Sequence, residues 1–301
     1  MIQNKFLEDL IAKPNTISAL EFEKIKEIVN KATEIAKDEN RLIEINTPKK
    51  EKIFVFGDIH GNLHSLESIL KEIKREKPQY IISLGDIVDR GSYQLQSLII
   101  MCAFKILNPE TFFILRGNHE TLEMNRSYGF YSNFLSRFGD ADKFDVILDF
   151  YNALPYCTLV NEAILCVHGG IPKNMDILKQ LKKLKTEEIN EIDLKAVDKS
   201  LFQMMWNDPK EEVNHFQPSY RGSDIFFFGE DALDEFMDGN NLETIIRAHE
   251  VFPEGYRWFF GKKLITLFSA ENYRPTVANP AVYAIIQNET QIRVKALEKD
   301  F

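Results

Sequence analysis

The chain has 301 residues, 44% apolar and 28% charged, which reads as a globular protein of one or two domains with material for a large core. Its net charge of −9 offers no basic field, which argues against nucleic acid or a membrane surface as partner; an anionic substrate would need a local cation. No apolar run reaches the roughly 18 residues that span a bilayer, and Glu8 and Asp9 interrupt the stretch where a signal peptide would lie. Three cysteines without CxxC spacing argue against a disulfide framework, and Cys102 and Cys166, in apolar runs, read as core thiols of a reducing compartment.

Residues 1–50 read as a helical flank packed against the remainder of the chain. Pro14-Asn15 ends a short first helix, Ser18 and Glu21 form a capping box, and Ile25, Ile28, Val29, Ala32, Ile35 and Ala36 make one apolar stripe. Pro48–Glu51 turns into an apolar strand at Ile53–Phe56, and two more follow at Ile81–Leu84 and Phe112–Leu115. Each runs into a polar signature: Gly57-Asp-Ile-His-Gly61, Gly85-Asp-Ile-Val-Asp-Arg-Gly91 and Gly117-Asn-His-Glu120. The helices after Gly61 and Gly91 carry apolar residues at i, i+3, i+4 and i+7 spacing. From Asp58 to Asp86 is 28 residues and from Asp86 to Asn118 is 32, the length of one strand–loop–helix unit repeated. The signatures are therefore expected at the carboxyl ends of neighbouring parallel strands, where open α/β sheets hold their sites.

Helices are expected over Tyr128–Phe138 and Phe144–Leu154, then a strand, Ala163–Val167, delivering His168-Gly-Gly. The charged segment within 173–200 reads as a solvated helix face and loop. Trp206–Ser223 reads as a long loop passing Arg221. Strands at Glu243–Ile246 and Leu264–Phe268 deliver Arg247-Ala-His249-Glu250 and Ser269–Tyr273, and Ala281–Ile286 with Gln291–Ala296 read as a closing hairpin around Asn288-Glu289. The expected organisation is a flank, 1–50, on one α/β catalytic domain, 51–301.

Asp58, His60, Asp86, Asn118, His168 and His249 are nitrogen and oxygen donors without a thiolate, a set that suits hard to borderline divalent metals. A lone Asp-x-His would read as loop capping. Here five of six histidines fall in or beside glycine-containing or strand-end motifs, and there are more donors than one ion needs. Asp86, central in order, is the natural bridge: Asp58, His60 and Asp86 for one ion, and Asp86, Asn118, His168 and His249 for the other. Arg90 and Arg221 are the cations for an anionic substrate, phosphate being the bidentate partner of guanidinium, and Tyr273 could donate a hydroxyl. His64, one turn from His60, is not expected to be a ligand. No G-x-x-x-x-G-K-[ST] motif suggests nucleotide-dependent transfer.

The three signatures, with His168-Gly-Gly, Arg221-Gly, Arg247-Ala-His-Glu and Phe268-Ser-Ala-Glu-Asn-Tyr273, resemble the phosphoprotein phosphatase family of serine/threonine phosphatases from about Lys52 to Ala296. The run Arg116–Phe130 looks most like the protein phosphatase five branch. The resemblance implies a metallophosphoesterase-type four-layer fold, with a central β-sandwich flanked by α-helices. It implies two divalent metals per chain (Mn, Fe or Zn, with Mn in recombinant protein) on the six donors named above. Phosphate would be bound by Arg90, Asn118, His119, Arg221 and Tyr273, with His119 as general acid and Asp89 as its orienting carboxylate.

The implied reaction is hydrolysis of phosphoserine and phosphothreonine in proteins, by a two-metal-activated water attacking phosphorus in line. Phosphoproteins and regulatory proteins are the implied partners, and the cytoplasm, with the nucleus second, the compartment. The rival readings are a hydrolase of small phosphate esters or dinucleoside polyphosphates, and a scaffold without activity. Ile87, Glu271 and Arg274 depart from the usual family residues without touching the metal or phosphate sets. Arg274, followed by Pro275-Thr-Val-Ala with no acid, is expected at the rim, favouring substrates with acidic flanks. The protein phosphatase five branch carries tetratricopeptide repeats ahead of its catalytic domain, and only about fifty residues precede it here. Leu297–Phe301 leave no room for an autoinhibitory helix, so activity without truncation is expected.

Overall fold

The structure is a computed structural model that describes residues 2–184, 191–274 and 278–297. Helices α1 (Asn4–Ala12) and α2 (Phe22–Lys37) bury Leu7, Leu10, Ile25, Ile28, Val29, Ala32 and Ala36 at helical spacing. A 3-10 turn, Pro14–Ala19, joins them. The expected capping box does not form. Ser18 is still inside that turn and accepts from Gln96 Nε2 at 3.1 Å, while Glu21 is itself the N-cap of α2. Nor is the flank wholly helical: Leu42–Ile45 is strand β1, parallel to Cys157–Val160 in the second half of the chain.

Strands β2 (Ile53–Phe56), β3 (Tyr80–Ser83) and β4 (Phe112–Ile114) pair in parallel, alternating with helices α3 (Leu63–Glu76) and α4 (Gln94–Leu107), as the motif spacing predicts. Gly129, at φ 110°, divides the next helical stretch into α5 (Leu122–Tyr128) and α6 (Phe130–Phe138). Helix α7 (Asp145–Ala153) stops before Pro155. Strands β5 (Cys157–Val160) and β6 (Ile164–Val167) form a hairpin, and α8 (Ile177–Lys183) and α9 (Glu191–Trp206) carry the charged segment, whose residues 185–190 lie outside the described ones.

The expected long loop is instead partly ordered into β7 (Asp208–Pro209) and β8 (Phe216–Pro218), which pair with β9 (Phe226–Phe228) in a small sheet. Helix α10 (Glu230–Asn240), β10 (Thr244–Arg247), β11 (Tyr256–Phe259) and β12 (Leu264–Leu267) follow. The closing hairpin is β13 (Val282–Gln287) and β14 (Gln291–Ala296), turning through Asn288 and Glu289, both at positive φ.

Two sheets result, in the orders β14-β13-β2-β3-β4 and β1-β5-β6-β10-β12-β11. Side chains alternate along each strand. Val55, Ile82 and Phe113 face inward from one sheet to meet Cys166, Ile246 and Ile265 of the other. On the outside, Phe54, Phe56 and Phe112 lie under the helices of the N-terminal half, and Leu165, Val167 and Ile245 lie under α8, α9 and α10. This is the four-layer α/β arrangement expected. All three thiols are buried and free, and no helix among the described residues is long and apolar enough to cross a membrane. Where the sheets meet, Asp58 and Phe268 form an isolated parallel bridge, and Gly57 N donates to Ser269 Oγ at 2.8 Å. The loops leaving β2, β3 and β4 therefore face those leaving β6, β10 and β12.

Candidate active site

Asp58 and His60 follow β2, Asp86, Asp89 and Arg90 follow β3, and Asn118 and His119 follow β4. His168 follows β6, His249 follows β10 and Tyr273 follows β12; Arg221 comes from the loop between β8 and β9. His60, Asp86, Arg90, Asn118, His119, Arg221, His249 and Tyr273 line one cavity of about 670 Å³. Asp58 and His168 lie buried behind its wall, and Asp89 stands behind His119. All eleven residues singled out from the sequence thus belong to one cluster.

The turns that bring them together are strained. His60, Asp86, Asp89, Arg90 and His249 all have positive φ, from 46° to 75°. Each such non-glycine residue costs on the order of 1–3 kcal/mol and persists only where its surroundings hold it. For Asp86 the holding group is Glu120, fully buried, which accepts from the N–H groups of Asp86 (2.8 Å), Ile87 (3.0 Å) and Gly117 (2.8 Å). Gly117 is required here, since a Cβ would stand 2.3 Å from Asp86 Oδ1, and Gly85, at φ 99°, supplies the turn beside it. Glu120→Ala strands three buried donors and is expected to cost upwards of about 3 kcal/mol in urea unfolding. A loss below about 1 kcal/mol would mean water replaces the carboxylate.

His60 Nδ1 donates to Val88 O at 2.9 Å, and His168 Nδ1 donates to Leu84 O at 2.8 Å. A carbonyl only accepts, so the proton of each neutral ring sits on Nδ1, and Nε2 presents a lone pair. His60 Nε2 lies 3.6 Å from Asp58 Oδ2 and 3.5 Å from Asp86 Oδ2. His168 Nε2 lies 3.0 Å from Asn118 Oδ1, 3.4 Å from Asp86 Oδ1 and 3.2 Å from His249 Nδ1. The two oxygens of Asp86 thus face one histidine each.

Burial pushes His168 down to about 4, and burial with the Arg221 charge close by holds His249 well below its ordinary value. Burial, with Asp58 and Glu120 close by, raises Asp86. Burial works the same way on Asp58, but His60 and His168 hold it below the usual carboxylate range. Asp58 Oδ2 and His249 Nε2 are buried and have no hydrogen-bond partner among the described residues. Ring nitrogens and side-chain oxygens crowded at 3.0–3.6 Å around Asp86 fit a cation between them, and the donor types fit divalent metals. Ligand atoms of His60, Asp86 and His119 lie within 4.8 Å of one another, as do those of Asp86, His168 and His249. Asp86 is common to both groups, as the sequence suggests, while His119 stands nearer the first group than its expected role requires.

On the cavity's other side, the Arg90 guanidinium lies 3.8 Å over the Tyr128 ring and pairs with no carboxylate among the described residues. Arg221 Nε donates to Asp208 Oδ2 at 2.6 Å, and the other oxygen of Asp208 accepts from Arg247 at 2.8 Å. Arg247 is fully buried and also donates to Gly169 O and to Glu250. The Tyr273 ring stacks on His60, and burial raises its phenol, which keeps it a donor. His119 Nδ1 lies 2.7 Å from Asp89 Oδ2. Asp89 also accepts from Asn125 Nδ2 at 2.9 Å and Phe130 N at 3.1 Å. Burial raises Asp89 to about 6, and burial with the charges of His60 and Arg90 holds His119 well below its ordinary value.

Asp208, Glu120, Asn125 and Tyr128 were not singled out from the sequence. Glu120 closes the third signature and could have been found as its unassigned acid. Asp208 sits in the stretch read as loop, where no spacing marks it.

A profile of the calcineurin-like phosphoesterase family matches residues 51–253. The serine/threonine-protein phosphatase 4 catalytic subunit of Kluyveromyces lactis is 34% identical over 262 residues, covering 86% of this chain and 80% of that one. Its namesake from Saccharomyces cerevisiae is 33% identical over 260 residues, covering 85% and 80%. A solved structure of a Saccharomyces cerevisiae protein serine/threonine phosphatase, described as similar to human phosphatase PP5, superposes with a TM-score of 0.77 at 27% identity, over 94% of this chain and 91% of that one. On its strand-end signatures, its four layers and these likenesses, the chain belongs to the calcineurin-like phosphoesterases, within the phosphoprotein phosphatase family of serine/threonine phosphatases.

Proposed function

We propose that this chain removes phosphate from phosphoserine and phosphothreonine in proteins, with Asp58, His60, Asp86, Asn118, His168 and His249 holding two divalent metal ions. The observation that carries the reading is the cluster of nitrogen and oxygen donors around Asp86, in one cavity with two guanidinium groups. Bound there, two ions of Mn, Fe or Zn would supply positive charge and would lower the pKa of water toward about 7.

The chain's own residues do the rest. Arg90 and Arg221 hold the equatorial phosphate oxygens, and Tyr128 beneath one and Asp208 beneath the other fix the two forks in advance. Asn118 and Tyr273 add neutral donors. Asp89 keeps the Nδ1 proton of His119 in place, so Nε2 is the nitrogen that gives a proton to the departing serine oxygen. A phosphate dianion arriving beside His119 favours the imidazolium and opposes the effect of burial. The relatives are named catalytic subunits, and a regulatory protein is the corresponding partner here.

The test is kcat/KM for a phosphoserine peptide, p-nitrophenyl phosphate and a dinucleoside polyphosphate, with metal content measured on the same protein. Preference for the dinucleotide overturns the protein substrate. Metal-loaded protein inert on all three overturns the enzyme.

Arg274 lines the same cavity and is exposed; Pro275, Thr276 and Val277 lie outside the described residues. A peptide with Glu beside its phosphoserine should be favoured over one with Lys. An exposed charge pair is worth ~0.2–1 kcal/mol, so the preference is at most about fivefold in kcat/KM. Arg274→Glu should reverse it. A ratio indifferent to the charge swap means Arg274 does not face the substrate.

A further inference from the structure

The exposed large apolar side chains among the described residues are four tyrosines, Tyr93, Tyr128, Tyr220 and Tyr256. Three of them line the reaction cavity or the cavities that adjoin it: Tyr128 and Tyr220 the first, Tyr220 the second and Tyr93 a third. Exposed aromatics gathered at one site rather than scattered mark a surface that meets another molecule. Tyr220, at 84% exposure, is the extreme case.

Tyr220 and Glu250 are shared between the reaction cavity and a neighbour of about 200 Å³, so one surface runs from the phosphate into the second cavity. That volume is below the roughly 300–1,000 Å³ of a small-molecule site and suits a single side chain. Four aromatic and five charged residues line it. Tyr220 meets Phe227 edge-on at 5.3 Å, and Phe252 meets Phe259 in the same way at 5.9 Å. The charges around it cancel. Lys210 lies 4.7 Å over Phe227, Arg257 lies over Phe252 and Phe259 and 3.6 Å from Glu211, and Glu212 balances the remaining cation. Glu250 is held by the buried Arg247 at 2.8 Å. With Lys210 and Arg257 already seated over the rings and Glu250 paired with Arg247, an aromatic side chain has four rings and the aliphatic stems of two cations to pack against.

We propose that this second cavity is a subsite for an aromatic side chain flanking the phosphorylated residue of the substrate. The proposal rests on the protein-phosphatase reading above and adds a sequence preference to it. Continuity through Tyr220 and Glu250 commits the occupant to the substrate itself: this rim is one exit open to a chain whose phosphate lies between Arg90 and Arg221.

The experiment uses phosphoserine peptides that differ at one position, with Phe, Ala, Asp or Lys placed in turn at each of the three residues on either side. At one position Phe should exceed Ala roughly tenfold in kcat/KM, equivalent to ~1.4 kcal/mol and part of the worth of a buried ring. Asp and Lys should show no such gain there. Tyr220→Ser, at a side chain too exposed to carry folding, and separately Phe252→Ala should each bring the Phe-to-Ala ratio close to one. The ratio within one protein cancels any loss common to both peptides. Peptides hydrolysed without a Phe preference, or with one that survives both substitutions, overturn the subsite alone. Peptides left intact while p-nitrophenyl phosphate is hydrolysed overturn the substrate class as well.

Discussion

His119→Ala should keep its metals and lose roughly 10²–10⁴ in kcat on a phosphoserine peptide, the usual worth of a positioned general acid. The size follows from the leaving group. An alkoxide departs badly without a proton, and among the cavity-lining histidines only His119 has its Nδ1 tied to a carboxylate, Asp89 at 2.7 Å. With an aryl phosphate, whose phenolate leaves unaided, the deficit should shrink by at least about tenfold. Metal analysis belongs beside the kinetics, because a His119 ring nitrogen lies within 4.8 Å of ligand atoms of His60 and Asp86. Equal deficits on alkyl and aryl esters would reject the acid role. Loss of a metal would recast His119 as a ligand.

Asp86→Asn should lose metal and activity together. The substitution keeps the shape and removes one charge from the group whose oxygens face His60 at 3.5 Å and His168 at 3.4 Å. Metal content is expected to fall from about two ions per chain to fewer than one. kcat/KM should drop by at least roughly 10³, as removal of several kcal/mol of charge stabilisation requires. Atomic absorption on dialysed protein gives the first quantity and phosphopeptide turnover the second, with a thermal melt to show the fold intact. A variant that retains both ions and full activity disproves the bridge.

The early strand-end residues were legible because each stands after a short run rich in Ile, Val, Leu and Phe and before a helical pattern, and the runs repeat at one unit's length. That signal carries position, and so it found Asp58, Asp86 and Asn118 together. It could not find what holds them. Asp208 and Arg247 act through a buried ion pair 39 residues apart in sequence, and no local pattern encodes such a partner. Strand β1 was hidden because Leu42–Ile45 stands outside the repeated strand–helix spacing and finds its neighbour, β5, in the second half of the chain. Strands β7 and β8 contain Pro209 and Pro218, residues that usually exclude a strand. They persist because Asn207 Oδ1 accepts from Phe226 N at 2.8 Å and clips the stretch to β9. Ser18 and Glu21 had the right spacing for a cap, but the 3-10 turn consumed the residues between them.

The seam between the two sheets bears on synthesis as well as on chemistry. Gly57 is hydrogen-bonded to Ser269, 212 residues later, and β2 takes β13 as its antiparallel neighbour, Ile53 opposite Ile286. A ribosome that has made the three early signatures has therefore made no reaction centre. Until β10 and the turn after it emerge, the carboxylate of Asp58 has no His249 N–H to accept from, and until β13 emerges β2 keeps an unpaired edge. Closure over such distances is slow compared with pairing between neighbours. The nascent chain therefore carries one open edge of β2 until β13 is made, an edge that other strands could pair with in the meantime.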